Sequence, residues 1–269
     1  MKLLVQGDDF GFTKGVTLGI IDAIEHGVLR NTGLFANMPS AILAAAYIRN
    51  NDRACFGIDF NIVSGPSVAD PSTIPSLVDE NGQFIRSGAR LKDPRFATVE
   101  GRLAMFPYDE VYREIRAQYD RFVLLTGKKP GYLHGHSLNH ENYQKAIRQV
   151  SKEEGVPYSK DIQAQFGFRS LMDLKGGMPK DPAKNKKSFD PMAQLSKDTV
   201  ANVLDASDYL LGGEYAVIGG HPGFVDDDLM GLTTLSLERI KDHAMCVSPM
   251  IKQWIKDHDI ELITYDDLK

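Results

Sequence analysis

The amino-acid sequence predicts an α/β protein whose mostly parallel strands form a single (β/α) barrel, complete or incomplete. Apolar strands and amphipathic helices alternate along all 269 residues, which is typical of parallel sheets with crossover helices. The candidate functional side chains fall at or near the carboxyl ends of predicted strands, where such barrels place their chemistry. An open doubly wound sheet would place a site at the same edge and is the alternative fold. The length suits one domain spanning 1–269.

Composition is that of an ordinary folded protein with small or neutral partners. Hydrophobic residues make up 42% and charged residues 25% of the chain, so disorder is not expected. The formal net charge of −5 argues against a general nucleic-acid or anionic-membrane binder. Cys55 and Cys246 are too few for a disulfide framework. Since no signal-peptide pattern follows Met1 and no apolar run is long enough to cross a bilayer, we expect a cytoplasmic location.

The first predicted strand ends in two adjacent acids. It is an aliphatic run, Leu3 to Val5, after which Gly7 allows a tight turn before Asp8 and Asp9. Two neighbouring carboxylates repel each other unless a cation, a proton or a donor network separates them, so this stretch suggests a metal or acid/base site. A turn with two solvated acids, or an acid that caps the next helix, is the alternative.

The next segments continue the alternation of helix and strand. A helix follows with a candidate N-cap at Thr13 and a stop at Gly27. A second strand is predicted over 33–38, an Ala-rich helix over 41–50 and a third strand over 55–63.

Asp59 lies inside the third predicted strand, between Ile58 and Phe60. A carboxylate in an apolar strand loses its hydration unless it is paired, hydrogen-bonded or bound to a cation. It therefore joins the candidate site. The alternative is that Asp59 faces solvent or accepts hydrogen bonds from backbone amides.

Residues 69–105 form a long excursion rich in proline, glycine and charge. Excursions of this length are usually lids, binding loops or interface segments, so we expect either a cover over the substrate or a dimer contact. The second possibility suggests a homodimer. An amphipathic helix over 108–125, ended by Gly127, returns the chain to the barrel pattern.

Three of the seven histidines, His134, His136 and His140, lie in one short strand-and-loop segment. Residues two apart on a strand point the same way, so His134 and His136 can converge on one centre, and His140 can return to it through the loop. Imidazole is the commonest neutral metal ligand, which favours a metal site. A hydrogen-bonded polar network and an exposed cluster without function are the alternatives.

The last part of the chain adds His221. Helices are predicted over 142–154, 198–211, 237–244 and 248–257, and strands over 156–158, 215–219 and 260–264. The loop at 168–190 carries a basic run at 184–187 that is either solvated or serves an anionic substrate group. His221 follows the strand over 215–219 between glycine and proline, a position suited to a general acid or base.

Several of these segments together resemble one known family. They are DDFG near the start, GIDFNIVSGP, the islands PSLVD and GQF, KKPGYLHGHSLNH, GGHPGF and the closing IELITYDDL. The chain is similar along nearly its whole length to the YdjC-like carbohydrate deacetylases, which are barrel proteins in which a divalent metal promotes removal of acetyl groups from N-acetylated sugars such as chitooligosaccharides. The resemblance implies a small carbohydrate substrate and a divalent ion, either Mg, Zn or Mn.

The resemblance also implies roles for individual residues. Asp8 corresponds to the general base, Asp9 and His136 to metal ligands, and His221 to the acid. Two positions depart from the family pattern, because Asp59 stands where a liganding histidine is usual and His134 stands where an aspartate is usual. Asp59 can still bind a divalent cation, and an additional oxygen ligand favours Mg or Mn over Zn.

Two further expectations concern the substrate. Asn61 and Arg169 are candidates for contacts to sugar hydroxyl groups. The altered ligand set also allows a different class of function, a non-catalytic carbohydrate-binding or regulatory protein on the same barrel. In such a protein the acids and histidines would pair with one another, for example Asp59 with His134.

Overall fold

The computed structural model of the protein describes residues 1–137, 140–174 and 189–269. The basic run at 184–187 lies outside the described residues. The described strands form one seven-stranded sheet, with the bounds β1 Lys2–Phe10, β2 Asn31–Leu34, β3 Cys55–Phe60, β4 Leu133–Gly135, β5 Arg169–Ser170, β6 Tyr215–Gly220 and β7 Glu261–Ile263.

Helices occupy the connections between the strands. The α-helices are α1 Lys14–His26, α2 Ala41–Arg49, α3 Ser87–Lys92, α4 Val99–Met105, α5 Tyr108–Thr126, α6 Glu141–Glu154, α7 Ser159–Gln165, α8 Pro191–Leu195, α9 Thr199–Asp205, α10 Ser207–Leu211, α11 Asp227–Leu232, α12 Arg239–Val247 and α13 Pro249–Asp257. Within the described ranges, no helix has the length and apolar character needed to cross a membrane.

β1 is the centre of the sheet. All pairings between the named strands are parallel, in the order β4-β3-β2-β1-β6-β5, and β7 also pairs with β1. β6 follows β1 over residues 2–7, while β7 pairs with residues 2–4 and β2 pairs from Gln6 onward. In the part of the chain that the structure describes, β4 and β5 are the two ends of this order. The sheet is thus a curled, partly open barrel, which confirms the predicted fold class.

The apolar side chains pack on the two sides of β1. Leu3 and Val5 belong to the large cluster shared with the helices, to which α1 contributes Val16, Ile20 and Ile24. Leu4 belongs to a second cluster inside the curl, with Tyr132, Val217, Ile263 and Tyr265. Because side chains alternate along a strand, Gln6 and Asp8 follow Leu4 onto the inner side. The interior therefore changes from apolar at the start of β1 to polar at its end.

The helix bounds agree with the sequence prediction where caps are strong. Thr13 caps α1, since its hydroxyl accepts the Val16 N–H at 3.2 Å. Gly127 and Gly155 end α5 and α6 in the left-handed conformation that favours glycine. The two glycines therefore allow the ends of α5 and α6 to be predicted from the sequence alone.

Two strand predictions were wrong. The strand predicted over 33–38 spans Asn31–Leu34, because the side chain of Asn37 is bonded to the backbone carbonyls of Ser64 and Pro66 in a loop contact. The strand predicted over 156–158 is a single bridge between Tyr158 and Leu133, followed directly by α7.

One helix prediction also differed from the structure. The helix predicted over 198–211 is divided at Ala206 into α9 and α10. After β6, the Asp226 carboxylate accepts the Leu229 N–H at 3.0 Å and thereby caps α11.

The excursion at 69–105 contains more regular structure than its composition predicts. It includes α3, α4 and short 3₁₀ helices at Pro71–Thr73 and Pro94–Ala97. Glu114 of α5 holds its start, since the carboxylate accepts the backbone N–H groups of Val68 and Ala69 at 3.0 and 2.9 Å. The excursion is therefore bonded to the barrel at its base.

A close approach between β2 and β3 predicts the effect of a small substitution. A methyl group on Gly33 would lie 2.8 Å from the Asp59 Cβ and 2.9 Å from the Asp59 nitrogen. We expect Gly33→Ala to displace β3 and lower the free energy of unfolding by about 1–3 kcal/mol, measured by urea denaturation. Gly231→Ala is the control, because nothing lies within 4 Å of the added methyl group there. Equal stability of the two variants would contradict the predicted clash.

Candidate active site

The carboxyl ends of four strands bring the predicted residues together. Asp8 and Asp9 lie at the end of β1, Asp59 near the end of β3, His134 in β4, and His136 and His221 directly after β4 and β6. Strand register aligns them, because Asp59 pairs with His134 and Gly7 pairs with Gly220. A cleft of about 920 Å³ opens over this edge, and Asp8, His134 and His221 line it.

Asp9, Asp59 and His136 form a compact trio below the cleft. One potential ligand atom from each residue lies within 4.8 Å of the others, and this is the group with metal-site geometry among the residues described. His136 Nδ1 is 3.0 Å from Asp9 Oδ1 and 4.0 Å from Asp59 Oδ2. Both carboxylates have no exposed surface, whereas the His136 side chain is 19% exposed. Such a set of two carboxylates and one imidazole suits a divalent cation.

Unpartnered oxygens mark the centre of the trio. Oδ1 of Asp9 and Oδ1 of Asp59 are both buried and accept no hydrogen bond. Asp9 Oδ1 lies 3.0 Å from His136 Nδ1, which is an ion-pair contact when the imidazole is protonated. A buried carboxylate oxygen without a donor loses its hydration without compensation. A divalent cation bound between the two carboxylates would compensate both oxygens, so the residues present fit a metal.

The backbone of Asp9 is strained. Its φ is 71°, in the left-handed region that residues other than glycine rarely adopt. The register between β1 and β2 shifts between Gly7 and Phe10, which lets the chain make this turn. The Asp9 N–H donates a hydrogen bond of 3.1 Å to Asp59 Oδ2. Asp59 thus makes the amide contact that the sequence allowed as an alternative, and that contact stabilises the conformation of Asp9.

Arg239 of α12 neutralises Asp9. Its Nη2 donates to Asp9 Oδ2 at 2.6 Å, and both side chains are almost fully buried. Burial raises the pKa of Asp9, but the charges of Arg239 and His136 outweigh it and bring the pKa well below its ordinary value. Burial, together with the nearby charges of Asp8 and Asp9, raises the pKa of Asp59 well above its ordinary value. The two acids of the trio therefore differ strongly in proton affinity.

Asp8 and His134 face each other across the floor of the cleft. Asp8 Oδ1 accepts a hydrogen bond from Gln6 Nε2 at 2.7 Å, and Asp8 Oδ2 lies 3.7 Å from His134 Nε2. His134 Nδ1 is bonded to Ser159 Oγ at 2.7 Å. Burial lowers the pKa of His134, which favours the neutral imidazole. His134 is thus a partner of Asp8 and stands outside the trio.

His221 is held through its backbone. Its N–H donates to Asp242 Oδ2 at 3.0 Å, while Asp242 Oδ1 is bonded to Lys197 Nζ and to the Thr199 hydroxyl, each at 2.8 Å. Burial raises the pKa of Asp242, but the nearby charge of Lys197 lowers it by more, so the net pKa lies below its ordinary value and the carboxylate stays ionised. This ion pair fixes the strand end from which the His221 side chain enters the cleft.

Three predicted site residues lie elsewhere. His140 caps α6, because its Nδ1 accepts the Asn142 N–H at 3.2 Å. Asn61 is fully buried and donates to the Ser64 carbonyl at 2.7 Å. Arg169 Nη1 donates to the Tyr209 carbonyl at 2.6 Å. The structure does not bring these residues to the cleft or to the trio, and their ligand contacts stay predictions.

Sequence reasoning missed Arg239, Asp242 and Gln6. Arg239 and Asp242 are three residues apart on α12 and so lie on the same face of that helix. This spacing was the available signal, and their burial in the structure shows why each needs a partner. Their partners are distant in sequence, so only the fold identifies them.

Comparison with known proteins finds relatives that align with the whole chain. Residues 2–257 match the family described as YdjC-like protein. Carbohydrate deacetylase 2 of Listeria innocua is 30% identical over 273 aligned residues, covering 100% of this chain and 99% of that protein. The carbohydrate deacetylase of Geobacillus stearothermophilus is 28% identical and covers 97% of this chain and 96% of its own length.

A solved structure supports the fold independently. A crystal structure from Enterococcus faecalis V583, described as a candidate cellobiose-phosphate cleavage protein, superimposes with a TM-score of 0.73. It covers 99% of this chain and 98% of its own, at 22% sequence identity. At this identity the likeness establishes the shared fold.

The pair between Arg239 and Asp9 predicts a large stability change. With a depressed pKa, Asp9 stabilises the fold above the ordinary carboxyl pKa of about 3.9, and this contribution is lost as the pH falls below that value. We expect Arg239→Met to lower the free energy of unfolding at pH 7, in chelator, by about 3–5 kcal/mol, because it leaves a buried charge unpaired. Urea denaturation of the wild type and of Arg239→Met measures this difference in the free energy of unfolding.

Arg148→Met is the matched control for this variant. Arg148 pairs with Asp161 at 2.8 Å, but both side chains are 48% exposed. An exposed pair of this kind contributes less than about 1 kcal/mol. If the two arginine variants lost the same stability, Arg239 would not be compensating a buried charge.

Proposed function

Because the chain belongs to the YdjC-like protein family, we propose that it is a metal-dependent hydrolase that removes acetyl groups from N-acetylated sugars or oligosaccharides. The observation that carries the proposal is the buried trio Asp9, Asp59 and His136 with its two unpartnered oxygens. It lies beside a cleft whose lining includes Asp8, His134 and His221. The carbohydrate deacetylase relatives that align with the whole chain support the same reaction.

In the proposed reaction the trio, Asp8 and His221 have separate roles. Asp9, Asp59 and His136 would hold a divalent ion, which when bound would supply Lewis acidity toward the acetamide carbonyl and would lower the pKa of a water molecule. Asp8, which lines the cleft, takes the proton of the attacking water. His221 gives a proton to the departing amine. The acetyl group leaves as acetate, and the sugar keeps a free amine.

The cleft suits a carbohydrate. Its volume is near the upper end of small-molecule sites, and its wall combines apolar and polar side chains, among them Leu171, Phe189, Leu235, Gln163 and Ser170. Gly88 and Lys92 of the excursion also line it. This supports a role of the excursion as substrate cover. The homodimer and the cytoplasmic location stay predictions of the sequence.

The ligand types favour Mg²⁺ or Mn²⁺. Two carboxylates and a single imidazole form an oxygen-rich set, which hard cations prefer.

In a non-catalytic protein on the same barrel, Asp59 would be expected to pair with His134. Among the described residues His134 instead contacts Asp8 and Ser159, and Asp59 Oδ1 has no donor. The buried Asp59 Oδ1 without a donor supports metal binding, whereas the contacts Asp8–His134 and Asp9–His136 are of the kind expected for the non-catalytic alternative.

Substitution of single residues separates metal binding from proton transfer. We expect Asp9→Ala and His136→Ala to lose bound Mn²⁺ and to release no acetate from N-acetylglucosamine oligomers, because each removes a ligand. Asp8→Asn should keep Mn²⁺ and lose at least about a hundredfold in kcat. Metal content is measured by elemental analysis and acetate by an enzymatic assay.

Exposed residues of the same types serve as controls in this experiment. Asp52→Ala and His26→Ala alter side chains that are 96% and 72% exposed, and both variants should behave as wild type. Wild-type protein that neither binds a divalent ion after supplementation nor releases acetate would overturn the proposed function.

Asp59 sets the preference between metals. Asp59→His exchanges an oxygen ligand for an imidazole, so the ratio of Zn²⁺ to Mn²⁺ affinity should rise by at least about tenfold. The exchange also removes the acceptor of the Asp9 N–H, so overall affinity is expected to fall. Competitive metal titration measures the ratio. An unchanged ratio would mean that Asp59 does not bind the ion.

A further inference from the structure

A hydrogen-bonded chain runs through the barrel interior to the carboxylate of Asp8. It starts at Gln163 of α7, whose Nε2 donates to the Tyr265 hydroxyl at 2.6 Å. Tyr265 Oη lies 2.6 Å from Gln6 Oε1, and Gln6 Nε2 lies 2.7 Å from Asp8 Oδ1. Gln6 is 4% exposed and Tyr265 is completely buried, so the central bond between them is shielded from water, while Gln163 and Asp8 lie at the wall of the cleft.

The chemistry of the groups fixes the direction of every bond. An ionised carboxylate only accepts, so the amide NH₂ of Gln6 must point toward Asp8. The Gln6 carbonyl then faces Tyr265 and accepts its hydroxyl proton. Because the Tyr265 hydroxyl donates its proton to Gln6, its oxygen accepts the hydrogen bond from Gln163 Nε2. Each amide therefore has a single orientation that satisfies the chain.

Tyr265 itself is held rigidly. Its ring stacks on Tyr132 with centroids 4.1 Å apart, and its backbone N–H donates to Asn31 Oδ1 at 3.0 Å. Asn31 in turn donates to the carbonyls of Val5 and Ile263. Tyr265 is thus anchored between β1 and β7, and the hydrogen bonds through Gln6 connect it to Asp8 at the floor of the cleft.

This arrangement distinguishes the two oxygens of Asp8. Oδ1 accepts the hydrogen bond from Gln6, whereas Oδ2 lies 3.7 Å from His134 Nε2, and both Asp8 and His134 line the cleft. We propose that Gln6 and Tyr265 are positioning residues for Asp8, which hold its carboxylate so that Oδ2 receives the proton of the attacking water. The role of Asp8 as base rests on the proposed function. The orientation of its carboxylate does not.

Two variants test the proposal through turnover. We expect Gln6→Met, which keeps the length of the side chain, to lower kcat by about 10- to 100-fold, because a displaced base loses alignment. Tyr265→Phe should lower kcat about 3- to 10-fold, since Gln6 keeps its place but loses the bond that orients it. KM for an N-acetylglucosamine oligomer and the affinity for Mn²⁺ should stay within about twofold in both. A residue needed only for folding would not produce this separation.

Tyr47→Phe is the matched control. The Tyr47 hydroxyl donates to Glu25 at 2.6 Å on the outer side of the barrel, so the same atom and a bond of the same length are removed away from the cleft. Its kcat should equal that of wild type. If kcat of Tyr265→Phe and Gln6→Met lay within twofold of this control, the proposal would be overturned while the proposed function would stand. Should Gln6→Met fail to fold, Tyr265→Phe decides alone.

Crystal structures of wild type and Tyr265→Phe provide a readout that needs no activity. In wild type we expect one Asp8 rotamer with Oδ1 bonded to Gln6, and in the variant a displaced or divided carboxylate. An Asp8 side chain unchanged in the variant would overturn the positioning role. If wild type released no acetate, the proposed function would fail, and the Asp8 rotamer would still decide this inference.

Discussion

The burial of one carboxylate, that of Asp9, is the constraint on which the site depends. Asp9 has no exposed surface and a left-handed backbone, two features that each raise the free energy of the folded state. Arg239 supplies the opposite charge, and Asp59 accepts the strained N–H. One Asp9 oxygen is left without a donor, beside His136. The fold thus presents a charged oxygen at a defined place, which is what cation binding requires.

Barrel geometry divides the proposed chemistry between two depths. Asp9 and Asp59 are sealed below the cleft, whereas Asp8, His134 and His221 reach its surface. Asp8 and Asp9 are sequence neighbours, yet the left-handed turn at Asp9 gives their side chains different surroundings. One has Arg239 as its partner, and the other has Gln6 and His134. A short acidic motif can therefore provide both a ligand and a base.

The strand ends could be predicted from the sequence because local patterns define them. The aliphatic run before Asp8, the apolar residues around Asp59 and the spacing of His134 and His136 identify the strands and their carboxyl ends. The partners Arg239 and Asp242 could not be predicted, because a helix face does not reveal which strand end it will meet. His140 was misleading for a related reason, since a histidine that caps a helix has the same spacing as one that joins a cluster.

The pairing of β1 has a consequence for how the protein reaches its folded state. β1 is synthesised first, but two of its three partner strands, β6 and β7, are in the last quarter of the chain, and Arg239 is 230 residues from Asp9. Contacts so distant in sequence close large loops and slow folding. Asp9 at the end of β1 therefore gains its Arg239 partner only after α12 has been synthesised. Completion of the site and completion of the barrel are therefore late events that coincide.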